Sequence, residues 1–129
     1  MNGCPGPYAR IKPRLAYGPL VTSDNNSRIG WISISRLPEA ARVTLKAGRL
    51  LNVQLTAGKA GVVRTARISR VVFRGGATFS LIVVRPGVVG YYADIRVPTT
   101  RKPYPIREQC IAPFGPPRPV RCATVDRGR

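Results

Sequence analysis

Proline sets the first limit on how this chain can fold. Its ring removes a backbone donor and fixes φ, so central sheet strands exclude it. Four of the thirteen prolines lie in residues 1–20, and seven run from Pro98 to Pro119. Only Pro38 and Pro86 fall between. The expected layout is an N-terminal extended arm over 1–20, a folded body over 21–97 and a Pro-rich basic C-terminal extension over 98–129.

Within the body the hydrophobic pattern has period two. Residues 29–37 alternate Ile32 and Ile34 with Ser33 and Ser35. Residues 49–56 set Leu51, Val53 and Leu55 on one face and Asn52, Gln54 and Thr56 on the other. Both are patterns of half-buried strands. Residues 62–73 are rich in β-branched side chains, which favour a third strand. Arg64, Arg67, Arg70 and Arg74 are also spaced for one helix face, but their neighbours favour a strand. On a strand, 67 would oppose the other three. Residues 78–85 and 88–97 add two strands around the turn Arg85-Pro86-Gly87, and Gly75-Gly76 breaks the chain before them. Pro38–Lys46, followed by Gly48, is the other helical candidate. The expected fold is mainly β, a small five-stranded β-barrel with extended basic arms.

Charge points to a partner. The 129 residues carry 22 Lys and Arg against 5 Asp and Glu, a net charge of +17. A small domain so charged repels itself unless a polyanion neutralises it. The charge is spread along the chain, which favours nucleic acid over a membrane surface. All but Lys12, Lys46, Lys59 and Lys102 of these cations are Arg, which forks onto phosphate and stacks on bases. The longest unbroken aliphatic run is Leu81–Val84, far short of the ~20 residues of a membrane helix. No membrane partner is expected. Residues 1–20 have no continuous apolar region of a secretory signal, and their four prolines disfavour an amphipathic targeting helix.

Catalysis is disfavoured by inventory. There is no His, and Asp24, Glu39, Asp94, Glu108 and Asp126 are scattered. No phosphate-cradling loop appears. Cys4, Cys110 and Cys122 form no C-x-x-C pair and read as reduced thiols in an intracellular compartment. Neither a metal nor a cofactor is expected. Trp31, Phe73 and Phe79 are expected in the core. Tyr91 and Tyr92 point to opposite faces, so recognition of RNA shape and phosphate is favoured over base stacking.

Charge and position nominate the RNA-binding residues Arg49, Lys59, Arg70 and Arg74 in the body. Arg101, Lys102, Arg118 and Arg121 join them from the tail, where cations alternate with proline. A Pro-rich arm loses less entropy on threading through RNA than a Gly-rich one.

The order of motifs resembles the universal large-subunit ribosomal protein number fourteen family. Val21-Thr22-Ser23-Asp24-Asn25-Asn26-Ser27-Arg28 is similar to the family's V-x-D-N-S-G segment, with one extra residue. Gly48-Arg49-Leu50-Leu51-Asn52-Val53 fits its turn into an apolar strand, with Arg49 in place of the acid. Val63-Arg64-Thr65-Ala66-Arg67-Ile68-Ser69-Arg70 resembles its V-x-R-A-x-I-V-R strand, followed by Gly75-Gly76 and Phe79. Pro105-Ile106-Arg107 and Ile111–Pro116 echo its late G-T-R-I-F-G-P segment.

The resemblance implies a structural constituent of the large ribosomal subunit near the subunit interface. Its implied partners are large-subunit rRNA, neighbouring ribosomal proteins and small-subunit rRNA across a bridge. It carries over Arg28, Arg64, Arg67 and Arg107 as rRNA contacts. The departures imply a fast-evolving mitochondrial ribosome, with a cytoplasmic one as the alternative. Two other classes compete: a viral coat or packaging protein, and a free single-strand RNA-binding barrel.

Overall fold

The computed structural model describes residues 9–99 and 102–122. They form ten strands: β1 (Arg14–Ser23), β2 (Asn26–Ser35), β3 (Arg42–Ala47), β4 (Leu51–Thr56), β5 (Val63–Thr65), β6 (Phe73–Arg74), β7 (Thr78–Arg85), β8 (Val88–Arg96), β9 (Tyr104–Ile111) and β10 (Pro119–Val120). A 3-10 helix, Arg67–Arg70, separates β5 from β6. The strands pair antiparallel in two sheets. One is four-stranded, with β1, β2 and β5 in order and β6 also on β2. The other is six-stranded, in the order β10-β9-β8-β7-β3-β4. Among the described residues neither sheet closes on itself, so the mainly β expectation holds, but the architecture is two open sheets with ten strands rather than a five-stranded barrel.

The core lies between the sheets. The four-stranded sheet contributes Ile29, Ile32, Ile34 and Val63, and the other contributes Val43, Leu45, Val53, Phe79, Leu81, Val83 and Ile95. Phe73 and Phe79 meet at a centroid distance of 5.8 Å, tilted by 53°. That geometry is worth ~0.5–1.5 kcal/mol beyond the area it buries. Ser27, a buried polar residue, donates its hydroxyl to the Pro98 carbonyl at 3.0 Å, which satisfies it.

Three expectations change. The segments expected as arms supply strands, β1 from the first and β9 and β10 from the last. Proline is tolerated because β1 is an edge strand carrying Pro19, and Pro105 sits where the β8–β9 register shifts. Second, the helical candidate Pro38–Lys46 contains strand β3, whose Val43 and Leu45 face the core while Arg42 and Lys46 face solvent. Third, residues 62–73 form no single strand. They make β5, a 3-10 turn and the start of β6, which together follow one edge of β2.

The thiol expectation is also overturned: Cys110 and Cys122 are joined by a disulfide, with Cα atoms 4.8 Å apart. An odd cysteine count argues against a framework but not against one bond. The β9–β10 pairing, with Val120 opposite Cys110, brings the two halves together. Cys4 lies outside the described residues.

The β1–β2 hairpin positions the candidate site. Asp24 and Asn25 both have positive φ, 46° and 65°, as a type I′ turn requires, and Asp and Asn tolerate that conformation best after Gly. Along β2 the core residues are Ser27 and Ile29 and then Ile32 and Ile34, so the buried parity reverses. Register with β1 is unbroken across the reversal, from Arg14 opposite Ser35 to Ser23 opposite Asn26. β1 reverses at the same level, packing Leu15 and Tyr17 and then Leu20 against the core. The hairpin therefore coils at Gly18-Pro19 and Gly30-Trp31, turning opposite parities to the core on either side.

Candidate nucleic-acid interface

The coil brings Trp31 to the outer face. It is half-buried and lies outside the hydrophobic core, contrary to its expected packing. The residue opposite is Gly18, and the indole ring lies 3.2 Å from where a Gly18 Cβ would stand. The ring thus lies down over bare backbone instead of standing off the sheet. Phe73 and Phe79 are core residues as expected.

Arg64 completes the platform. It sits opposite Ser33 on β5, diagonal to Trp31, and its guanidinium carbon is 4.4 Å from the centre of the ring. An exposed cation–π contact of this kind is worth ~0.5–1 kcal/mol. Its geometric effect matters more. A guanidinium laid flat on a ring keeps its in-plane N–H donors free. A phosphate can meet those edges, and a base can lie on the same stack.

Around this pair the outer face is small and basic. Arg14 is opposite Ser35, and Ala16 is opposite Ser33. Lower on the same face Arg28 lies beside Val21 in a 280 Å³ cleft that also includes Ser23, Asp24, Asn26, Ser27 and Val72. Arg74 pairs with Asn26 at the bottom of the sheet. The elements of this layer carry six arginines, namely Arg14, Arg28, Arg64, Arg67, Arg70 and Arg74, and no carboxylate. Asp24, in the β1–β2 turn, is the acid nearest in sequence.

The nominated residues therefore divide. Arg28, Arg64 and Arg74 share the outer face of the four-stranded sheet. Arg67 and Arg70 project from the adjoining 3-10 helix and line a cleft with Leu50–Val53, beside the turn that bears Arg49. Lys59 stands in the loop between β4 and β5. Arg107 belongs to the other sheet, opposite Asp94, which accepts hydrogen bonds from Ser80 at 3.0 Å and Tyr92 at 2.9 Å. Lys102, Arg118 and Arg121 are exposed on or beside β9 and β10, and Arg101 lies outside the described residues. Arg14 and Trp31 were missed. Alternation around Leu15 and Tyr17 was a signal for the first, but nothing in the local pattern announced the reversal that turns Trp31 outward.

The far edge of the six-stranded sheet has different chemistry. Tyr91 donates its hydroxyl to Glu108, and burial, that hydrogen bond and the Glu108 charge together hold its phenol well above the usual range. A 530 Å³ groove at the β7–β8 turn is lined by Val84, Val88, Ile111, Pro113 and Phe114 among others, with Arg42 and Arg85 beside them. Among the described residues no group of three or more His, Cys, Asp or Glu could hold a metal ion. No helix there is long and apolar enough to cross a membrane.

Compared with family models, with curated proteins and with solved structures, the chain matches none of them.

Proposed function

We propose that this chain is a non-enzymatic RNA-binding protein, built into a ribonucleoprotein particle, that grips RNA on the outer face of its four-stranded sheet. One observation carries the reading: Arg64 set over the outward Trp31, on a sheet face that also presents Arg14, Arg28 and Arg74. Phosphates supply most of the affinity, and one half-buried aromatic on this face gives little base preference.

The particle that the sequence motifs nominate is the large ribosomal subunit, mitochondrial first and cytoplasmic second. Large-subunit rRNA, adjoining ribosomal proteins and small-subunit rRNA across the interface would be the partners. A packaging or coat protein is the second reading. Two observations favour it. The two-sheet architecture departs from the family's barrel. The Cys110–Cys122 bond suits oxidising surroundings, which include virion surfaces and not the cytosol.

Trp31 is the sole tryptophan, so its fluorescence reports on this face directly. Titration with a single-stranded RNA oligonucleotide should change the emission saturably, and affinity should fall steeply between roughly 50 and 200 mM salt. An unchanged emission, or a nearly flat salt dependence, would remove the proposal. Sedimentation of the native protein through a sucrose gradient with subunits dissociated then separates the particles. Co-migration with large-subunit rRNA supports the ribosome, and migration in shells free of rRNA supports packaging.

A further inference from the structure

Among the described residues the six-stranded sheet ends at β4, and this strand lacks the proline and charge that β1 and β9 carry. Edge strands expose unpaired backbone groups, and proteins blunt them with proline, charge or bulges. β1 carries Arg14 and Pro19. β9, where β10 leaves it bare, carries Pro105 beside a register shift, and β10 opens on Pro119. β4 reads Leu-Asn-Val-Gln-Leu-Thr, with no proline and no charge. It pairs with β3 in unbroken register from Leu51 to Thr56.

The free groups can be assigned. Ala57 donates its N–H to the Ala41 carbonyl, so position 57 bonds toward β3. Antiparallel bonding alternates, so Leu55, Val53 and Leu51 also bond toward β3. The N–H and C=O of Asn52, Gln54 and Thr56 then point away from the sheet. All three residues are exposed.

We propose that β4 accepts an added strand from a partner protein, and that this strand is acidic. Charge selects the occupant. Arg67 and Arg70 form a 170 Å³ cleft with Leu50–Val53 along this edge, and Arg49 stands in the adjoining turn. The β3–β4 hairpin and the 3-10 helix contain no carboxylate. A second copy of the chain would bring its own Arg49, Arg67 and Arg70 against these, and like charges in opposed strands repel. An incoming strand with Glu or Asp at alternate positions presents all of them on the side facing the helix. Main-chain hydrogen bonds would hold it, and the arginines would choose it. This surface is separate from the Trp31 face.

The test uses the full chain and a capped peptide of alternating Glu and Val about eight residues long, an ordinary strand length. Amide exchange at Asn52, Gln54 and Thr56 should slow on addition of peptide, with Trp31 fluorescence unchanged. A Lys–Val peptide of equal length should bind roughly tenfold more weakly or worse. Gln54→Pro removes an outward N–H that β3 does not use and should abolish the protection. Should that variant unfold, Asn52→Glu with Thr56→Glu serves instead, because it repels an acidic strand, with intact β3–β7 protection as the check. Arg67→Glu with Arg70→Glu should reverse the peptide preference. Unchanged exchange at the three amides with excess Glu–Val peptide overturns the proposal. So does concentration-dependent protection of them without peptide, which would make the occupant a second copy.

Discussion

A Cβ added to Gly30 would lie 2.5 Å from Cδ of Pro19 and 2.7 Å from the Gly18 carbonyl oxygen. The two strands of the first hairpin touch there without intervening side chains, and the contact fixes where the hairpin coils. Gly30→Ala should therefore cost about 1–3 kcal/mol, the usual penalty of overpacking. Urea midpoints would measure it. Pro19→Ala on that background should restore only part of the loss, because the Gly18 carbonyl stays in place. An unchanged midpoint for Gly30→Ala would mean that the coil is not held at this contact.

Arg64→Ala should weaken RNA binding across sequences and lower the salt slope by about 0.7, the share of one single-strand phosphate. Trp31→Phe should retain most of the affinity, whereas Trp31→Ala should lose ~1–3 kcal/mol, the range for one stacked base. Affinities at three or more salt concentrations distinguish the two contributions. Equal salt slopes for Arg64→Ala and the parent would count against a phosphate on that guanidinium.

Reducing the Cys110–Cys122 bond, or Cys122→Ser, should destabilise the protein by about 3 kcal/mol on the chain-entropy view for a loop of this length. β10 pairs at only two positions, so without the bond its segment should detach first. Trypsin would then cut after Arg121 well before the body, whereas Arg118, followed by Pro119, is not a trypsin site. Equal cleavage rates in oxidised and reduced protein would show that the pairing holds by itself.

Alkaline stability should depend on Tyr91. Its phenol is held above the ordinary value near 10 by burial and by Glu108, so folding favours the neutral form. The resulting stability is complete below pH 10 and is lost as pH rises from there toward the folded-state value. Tyr91→Phe should flatten that decline relative to the parent. Thermal melts from about pH 8 to 11 would test it, and parallel curves would exclude the coupling.

The readable parts of the sequence were those with local causes. Thr78–Arg85 and Val88–Arg96 are rich in β-branched and aromatic residues on either side of a Pro-Gly turn, and both strands form there. Proline density alone does not mark an arm, because its tolerance depends on whether a strand is an edge. That is a property of topology. The Asp24-Asn25 pair carried a hairpin signal that would have recruited β1 from the presumed arm. β3 was hidden by helix-like punctuation, although Val43 and Leu45 alternate with Arg42, Thr44 and Lys46. The arginine-rich layer was legible as composition. The stack of Arg64 on Trp31 was not, because it needs the parity reversal, and that reversal arises between two strands.

That reversal also constrains how the hairpin can change. In a uniform hairpin, slipping the strands by two residues returns each side chain to its proper face, and the error goes unnoticed. Here the crossing of Gly18-Pro19 with Gly30-Trp31 acts like the shoulder on a key: only one depth of insertion seats both halves. A residue gained or lost in β1 must be matched by one in β2 on the same side of the crossing. Length variation that is free of this bookkeeping is confined to the turn at Asp24-Asn25.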